Sequence, residues 1–293
     1  MRLILFIAVV TFLIFSSCSS TRQWTELSQQ AGQAFEQNEY ENALDLYEQY
    51  IMHFGHDATV IPDSIYRGAG LAAFELGMTA KALDYLNIIR HSDLADAPVQ
   101  YALALSNREI DNLSREITAL EIYVEKYPEA KKIEPMRQRY FETLVESRNY
   151  EQALELWPAI KSHAQKEEWL LERYFEANKG LENDDKLYDI ASSLYSLNPQ
   201  NTKALSHLAI HYFWKAENRY QDEVEAYENN RTHKQYAQLL RAFKILNADF
   251  RKSLDYFLTL YQLEPKPEYA TYIGNIYLRF NDKGKAGYYH GKI

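Results

Sequence analysis

Residues 27–54 read LSQQAGQAFEQNEYENALDLYEQYIMHF. Apolar residues recur three and four positions apart within this stretch, first over Leu27–Phe35 and then over Tyr40–Ile51. This periodicity predicts two short amphipathic helices, and the polar run Gln37–Glu39 between them predicts a tight turn. One pair of helices cannot bury both of its apolar faces alone, so the stretch predicts further copies of the same unit along the chain.

Copies of this helical pair follow along the chain, each with a small residue in the middle of its second helix. The clear examples of this small residue are Ala43, Ala82, Ala119, Ala153, Ser253 and Ala286. The first three gaps are 39, 37 and 34 residues, and the stretch from Ala119 to Ala286 divides into units of about 33 residues. Two less regular units in that stretch would place their small positions near Leu187 and Gln221. Around Gln221 the sequence is heavily charged, which indicates either a long solvated helix or an irregular unit. The spacing therefore predicts about seven or eight helical hairpins.

This pattern resembles the tetratricopeptide repeat, a helix–turn–helix unit of about 34 residues with small residues where its helices approach most closely. The matching positions are Gly70 and Gly274 in first helices, Ala43, Ala82, Ala153 and Ala286 in second helices, Tyr40, Tyr150 and Phe250 at the openings of second helices, and Pro199 and Pro265 at the ends of units. The resemblance implies an all-α, right-handed superhelical solenoid of such hairpins over residues 27–293.

The N-terminal residues 1–17 read MRLILFIAVVTFLIFSS, and Cys18, the only cysteine of the chain, follows them directly. Their apolar run is too short to cross a bilayer comfortably and is typical of a signal peptide. Two small residues before the cysteine resemble the lipobox of bacterial lipoproteins, although Phe15 stands where leucine is usual. The alternatives are an ordinary cleaved signal peptide and an uncleaved anchor with a free thiol.

The lipoprotein resemblance implies that Cys18 becomes the first mature residue and carries acyl chains of the palmitate type. Residues 18–26 would then be a lipidated tether, and the membrane contact would be the lipid alone. Because Ser19 rather than aspartate follows the cysteine, the resemblance implies the bacterial outer membrane, with either face open.

The composition of the chain bears on its partners, on disulfide bonds and on the packing of its core. The 293 residues carry a formal net charge of −9, which argues against nucleic acid as the partner, since phosphate binding needs a basic surface. A single cysteine excludes an internal disulfide bond. Aromatic residues make up 14% of the chain and include 24 tyrosines, which is consistent with rings packed between neighbouring hairpins.

Catalytic and metal-binding motifs are not apparent in the sequence. It contains no glycine-rich phosphate loop and no HExxH motif. His207 and His211 lie four residues apart on one predicted helix face, but no third ligand is apparent nearby and zinc needs at least three. We therefore expect no metal, no cofactor and no catalytic residues.

Family resemblance also points to a binding face. In tetratricopeptide proteins the first helices line a concave groove. The positions that correspond here are Arg67, Leu71, Phe74, Arg108, Glu142, Glu172, Glu176, Ile210, Phe213 and Trp214. The lysine and asparagine set that clamps a partner's C-terminal carboxylates in some family members is missing, so we do not expect that kind of recognition.

The leading hypothesis is a lipid-anchored scaffold that binds partner proteins at the outer membrane, for example as an accessory of an envelope assembly or transport complex. The alternative is a lipoprotein that binds glycans or nutrients through exposed aromatic side chains. Its candidates are Trp24, Trp157, Trp169 and Trp214. Their clustering on one exposed face would favour this alternative, and burial of all four would exclude it.

Overall fold

The computed structural model describes residues 23–55 and 61–292, and every regular element in these residues is an α-helix. The chain divides into two compact units, one ending at Thr143 and the other beginning at Leu144. The predicted signal peptide, Cys18 and most of the predicted tether lie outside the described residues. The predicted all-α architecture of helical hairpins is confirmed for the residues that are described.

The helices are short in the first unit and include two long ones in the second. The first unit contains α1 (residues 23–36), α2 (Tyr40–Phe54), α3 (Asp63–Glu75), α4 (Thr79–Ile88), α5 (Ala97–Glu109), α6 (Leu113–Lys126) and most of α7 (Ile133–Glu146). The second unit contains the end of α7, α8 (Tyr150–Ala164), α9 (Glu168–Gly180), α10 (Asp184–Leu197), α11 (Thr202–Asn229), α12 (His233–Leu263), α13 (Pro267–Arg279) and α14 (Lys283–His290).

Most turns inside a hairpin have the same construction. One residue takes a left-handed backbone, and the N–H of the next residue bonds to the carbonyl five positions before it, which closes the C-terminus of the first helix. The left-handed residues are Asn38, Gly77, Asp111, Arg148, Glu182 and Asn281, with φ between 55° and 69°. The bonds from Glu39 to Ala34 (2.9 Å) and from Asn183 to Asn178 (2.9 Å) are examples.

The small residues lie where the prediction requires them. Ala43, Ala82, Ala153 and Ala286 are at most 1% exposed. A Cβ atom added to Gly70 would lie 2.5 Å from Cδ2 of Leu86, and one added to Gly274 would lie 2.3 Å from the ring of His290. Ser253 is completely buried, and its hydroxyl donates to the carbonyl oxygen of Ala209 at 2.8 Å. These contacts confirm the close helix approach that the spacing predicted.

The prediction of a unit with its small position near Gln221 is wrong. Gln221 lies within α11, a continuous helix of 28 residues that packs along α12, a helix of 31 residues. The sequence from 202 to 264 contains no glycine or proline, so nothing ends the first helix at the usual length. The chain therefore builds one extended hairpin where two ordinary units were expected.

The assignment of Phe250 to the opening of a second helix is also wrong. Phe250 is fully buried in the second half of α12, which begins at His233. It stands three residues before Ser253, as Tyr40 stands three residues before Ala43. The packing position is therefore conserved within the chain, while the helix extends further toward its N-terminus.

Proline has different effects in two second helices. Helix α6 ends at Lys126, two residues before Pro128, where proline prevents the helix from continuing. Helix α8, in contrast, continues past Pro158 to Ala164, although proline usually kinks or ends a helix. Pro158 forfeits one helix hydrogen bond, but Ile160 and Ala164 beyond it are at most 1% exposed, so the continued helix buries apolar surface in return.

Candidate functional site

The predicted groove residues of the first unit are mostly occupied within that unit. The Arg67 guanidinium donates to the Asp96 carboxylate at 2.6 Å, and Glu142 accepts a 2.7 Å hydrogen bond from Arg139. Leu71 is only 6% exposed. The partly buried ring of Phe74 packs edge-on against Tyr101. Arg108 is the member of this set that is exposed.

The second unit brings its predicted groove residues to two neighbouring cavities. Glu176 and Ile210 line a cavity of about 570 Å³, and Phe213 and Trp214 line a second one of about 690 Å³. Glu172 does not line either cavity, but its carboxylate accepts a 2.9 Å hydrogen bond from Lys203, which lines the first one. We refer to the two cavities together as the first-helix groove, because α9, α11 and α13 supply most of their walls.

The first cavity lies between α9, α11 and the start of α13, and its rim carries both signs of charge. Its lining residues are Phe175, Glu176, Lys179, Thr202, Lys203, Ser206, His207, Ile210, Glu264, Lys266 and Tyr269. Lys266 forms an ion pair of 2.5 Å with Glu264. Burial, reinforced by the neighbouring His211, holds the pKa of His207 below its ordinary value, so the imidazole is neutral at pH 7.

The second cavity has an aromatic wall and one strong ion pair. Phe213 packs edge-on against Tyr272 with ring centres 4.8 Å apart, and Trp214 beside it is 49% exposed. Nε of Arg279 donates to Glu217 at 2.9 Å, and its guanidinium lies 4.0 Å from the ring centre of Tyr220. The remaining lining residues are Glu268, Thr271, Asn275 and Leu278.

The two cavities share the same face of α11. Ile210 of the first cavity lies three and four residues before Phe213 and Trp214 of the second, so all three side chains share one helix face. Tyr269 and Tyr272 repeat the three-residue spacing on α13. Apolar and aromatic side chains with polar and charged groups around them are the arrangement that peptide-binding grooves use.

Most residues that line this groove were not predicted from the sequence. Lys179, Lys203, Tyr269, Tyr272 and Arg279 line it but were not among the predicted residues. The tyrosines of α13 were detectable in principle, because they occupy a first helix at the spacing of Ile210 and Phe213. The charged residues were not, since their position depends on which α9 and α13 side chains meet α11.

The four tryptophans have different environments. Trp24 is partly buried and stacks on His53 with ring centres 3.9 Å apart. Trp157 is 5% exposed and stacks on Tyr174 at the same distance. Trp169 and Trp214 are 43% and 49% exposed. The glycan hypothesis therefore retains two candidates, Trp169 on α9 and Trp214 on α11.

The histidine environments and the helix lengths bear on metal binding and on membrane crossing. Within residues 23–55 and 61–292, no three His, Cys, Asp or Glu side chains come close enough together to hold a metal ion. His207 instead packs against Phe175 at 5.4 Å between ring centres, and His211 packs against Tyr188 at 4.7 Å. Of the helices in this part of the chain, none has the length and apolar content needed to cross a bilayer.

Several solved structures are similar to this chain, and one of them reaches a TM-score of 0.50. A putative protein-binding protein from Bacteroides ovatus aligns with a TM-score of 0.50 and 17% identity, covering 76% of this chain and 99% of its own. YrrB, a TPR protein described as having an unusual peptide-binding site, aligns with a TM-score of 0.47 and 17% identity over 61% of this chain and 89% of its own. A tetratricopeptide repeat protein from Parabacteroides merdae covers 92% of this chain and 91% of its own, with a TM-score of 0.41 and 14% identity. No protein-family model and no curated protein matches the sequence.

Proposed function

We propose that this protein is a non-enzymatic scaffold that binds a segment of a partner protein in the first-helix groove. The observation that carries the proposal is the pair of cavities in the second unit, with Ile210, Phe213 and Trp214 on one face of α11 and Tyr269 and Tyr272 of α13 in their lining. Cavities of about 570 and 690 Å³ each have room for several side chains of a bound peptide.

The mechanism of binding is preorganisation. Phe213 is 6% exposed and packs against Phe250 and Tyr272, and the Glu217–Arg279 ion pair is already formed in the free protein. Such fixed side chains lose little conformational entropy on binding, so more of the contact energy appears as affinity. The half-exposed indole of Trp214 would act as the anchor, since tryptophan is enriched among residues that dominate interface energies.

Peptide selection on the purified protein tests this proposal. From a random-peptide library, we expect enrichment of peptides that carry an apolar or aromatic residue. The affinity of these peptides should fall at least about tenfold in the Trp214→Ala variant. Trp169→Ala is the matched control, because Trp169 has similar exposure and lines neither groove cavity. An equal loss with both variants, or no enrichment, would contradict the proposal.

The proposed location is the bacterial outer membrane, reached through acylation of Cys18. The support is the position of the single cysteine directly after a short apolar segment. Acyl chains contribute about 0.8 kcal/mol per buried CH₂, so several chains make the attachment effectively permanent. There the protein would serve as an accessory of an envelope assembly or transport complex.

Fractionation of cells tests the anchor. Wild-type protein is expected in the outer-membrane fraction with a mass increase from the acyl chains. Cys18→Ala is expected to move to another fraction without that mass increase. Unmodified wild-type protein, or an unchanged distribution of the variant, would favour an ordinary signal peptide or a membrane-embedded leader instead.

Glycan binding is the second candidate function, supported by the exposure of Trp169 and Trp214. Exposed indole rings stack against the apolar faces of sugars. A glycan array probed with wild-type protein, Trp169→Ala and Trp214→Ala separates the two functions. A sugar that binds the wild-type protein and binds neither variant would favour glycan binding over peptide binding in the groove.

A further inference from the structure

The first unit contains a small cavity that has no part in the first-helix groove. It lies between α4, α5 and α6 and has a volume of about 140 Å³. Leu103, Ala119 and Ile122 provide its apolar wall. A closed cavity of about 150 Å³ is large enough for benzene, so this one has room for one branched aliphatic or ring-sized group.

Three carboxamide side chains line this cavity, and each of them donates an N–H to a backbone carbonyl. The amide nitrogens of Asn87, Gln100 and Asn107 donate to the backbone carbonyls of Leu83, Ala95 and Leu103, at 2.7, 3.3 and 2.7 Å. Backbone carbonyls only accept, so these bonds fix which end of each carboxamide is oxygen. Among the residues that the structure describes, none donates to these three oxygens. The wall therefore offers acceptors that need a donor.

Asn107 is the most telling of the three. It is 2% exposed, and its Oδ1 atom is buried without a hydrogen-bond partner in the part of the chain described. The equivalent residue in α9, Asn178, is also buried, but its Oδ1 accepts from Asn183 at 3.4 Å. In the first unit Asn112, which follows Asn107 at the same distance, instead caps α6 through the N–H of Arg115. The acceptor at Asn107 is therefore left open beside the cavity.

Two guanidinium groups complete the lining. Arg90 and Arg115 are exposed at the cavity, and no carboxylate of residues 23–55 or 61–292 forms an ion pair with either. Nε of Arg90 donates to Nε2 of the adjacent His91 at 3.0 Å, which leaves its terminal N–H groups available. A pair of unopposed guanidiniums is the usual binding partner of a carboxylate.

The second unit has a cavity at the same place in the repeat, and it lacks this chemistry. It has a volume of about 360 Å³ and lies between α8, α9 and α10, and seven of its nine lining residues stand 71 positions after lining residues of the first cavity. The informative pairs are Gln100 and Leu171, Arg115 and Lys186, and Thr118 and Asp189. The second cavity keeps two cations, Lys161 and Lys186, but it replaces one carboxamide by an apolar residue and adds a carboxylate. In the first unit, three carboxamides line the cavity together with the two guanidinium groups.

We propose that the cavity between α4, α5 and α6 binds a free α-amino acid with a small apolar side chain. The carboxamide oxygens of Asn87, Gln100 and Asn107 would accept from the α-ammonium group, which has three N–H donors. Arg90 and Arg115 would bind the α-carboxylate, and the apolar wall would cover the side chain. This assignment uses the three carboxamide oxygens and both guanidinium groups of the cavity, and it does not depend on the first-helix groove.

Calorimetric titration of the purified protein with L-valine, L-leucine and L-isoleucine, each up to about 10 mM, tests the proposal. We expect at least one of them to bind. For that amino acid, the N-acetyl derivative, which lacks the ammonium group, and the carboxamide, which lacks the carboxylate, should each bind at least about tenfold more weakly.

Matched variants assign the binding to this cavity. Asn107→Leu and Arg115→Gln should each lower the affinity at least about tenfold, whereas the equivalent changes Asn178→Leu and Lys186→Gln in the second unit should leave it unchanged. The proposal is overturned if none of the three amino acids binds, or if an N-acetyl derivative binds as tightly as its parent. Equal losses from the two sets of variants would overturn it as well. Arg115 is exposed, so Arg115→Gln gives a result even if Asn107→Leu unfolds.

Discussion

Glu116 is completely buried between α6 and α7, and Arg139 donates to it through two hydrogen bonds of 2.6 and 3.0 Å. A second pair of the same chemistry, Arg137 with Glu134, is 2.8 Å long and lies at the surface. The two pairs differ in burial rather than in length. A buried charge that loses its partner is costly, whereas an exposed pair contributes little because water screens it.

Changing Glu116 to glutamine is therefore expected to lower the free energy of unfolding by about 3 kcal/mol, because the buried guanidinium of Arg139 keeps its charge and loses the fully buried one of its two carboxylate partners, Glu116 and Glu142. Glu134→Gln is the control and should change stability by less than about 0.5 kcal/mol. Urea denaturation of both variants measures the difference. Equal losses of stability in the two variants would contradict the view that burial makes the Glu116–Arg139 pair important for stability.

His207 leads to a prediction about pH. Its pKa is lowered in the folded protein by burial and then by His211, so the unfolded chain binds a proton more readily than the folded one. At neutral and higher pH both states are unprotonated and the residue has no effect, while stability falls as the pH drops below about 6.5. We expect His207→Gln to reduce this loss and His163→Gln, at an exposed residue, to leave it unchanged. Thermal unfolding between pH 7.5 and 5 measures it, and identical pH profiles for wild type and His207→Gln would contradict the account.

The helices can be predicted from the sequence where a helix-breaking residue ends them or a small residue lies at their closest approach. The turns at Gly77 and Asn38 were visible because glycine and asparagine tolerate left-handed backbone. Arg148 and Glu182 occupy the same left-handed position, yet their residue types do not favour it, so those turns were recognised only through the repeat spacing. The extended hairpin of α11 and α12 was not predictable from spacing, because a uniform period requires a turn that its sequence does not contain.

The continuity of α11 predicts how it responds to proline. Gln221→Pro is expected to destabilise the helix by about 3 kcal/mol or more, since Gln221 is in the interior of the helix and its N–H is lost from the ladder. Circular dichroism should show reduced helicity, and Gln221→Ala should leave the signal unchanged. Full helicity and an unaltered melting temperature in Gln221→Pro would indicate a turn at this point, as a regular repeat would have.

Close helix approach predicts a steric effect at the small positions. Ala82 is fully buried between α3 and its own helix α4, whereas Ala80 on the same helix is exposed. Ala82→Trp should force the α3/α4 hairpin open and lower the melting temperature sharply. Overpacking a core typically lowers stability by about 1–3 kcal/mol, and by more for so large a side chain. Ala80→Trp should be tolerated. Similar melting curves for the two variants would contradict the packing described here.

At the scale of the whole molecule, the fold was more predictable than the site. Repeat spacing alone indicates an all-α chain of hairpins, because each unit must bury its apolar face against its neighbours. The groove was predicted only in part: Ile210, Phe213 and Trp214 follow from helix periodicity, while Lys179, Lys203 and Arg279 line it because of packing between different hairpins. The cavity between α4, α5 and α6 depends on the hydrogen bonds of Asn107 and Asn112, which a sequence does not display.

The central claim is that the first-helix groove of the second unit holds the partner, and site-specific photo-crosslinking in intact cells tests it most directly. A photoreactive residue is placed at Ser206 or Trp214 inside the groove, and at Trp169 outside its two cavities. The account predicts that both groove positions capture the same protein and that Trp169 does not. Capture of that protein from Trp169 as efficiently as from the groove, or no adduct from either groove position, would contradict it.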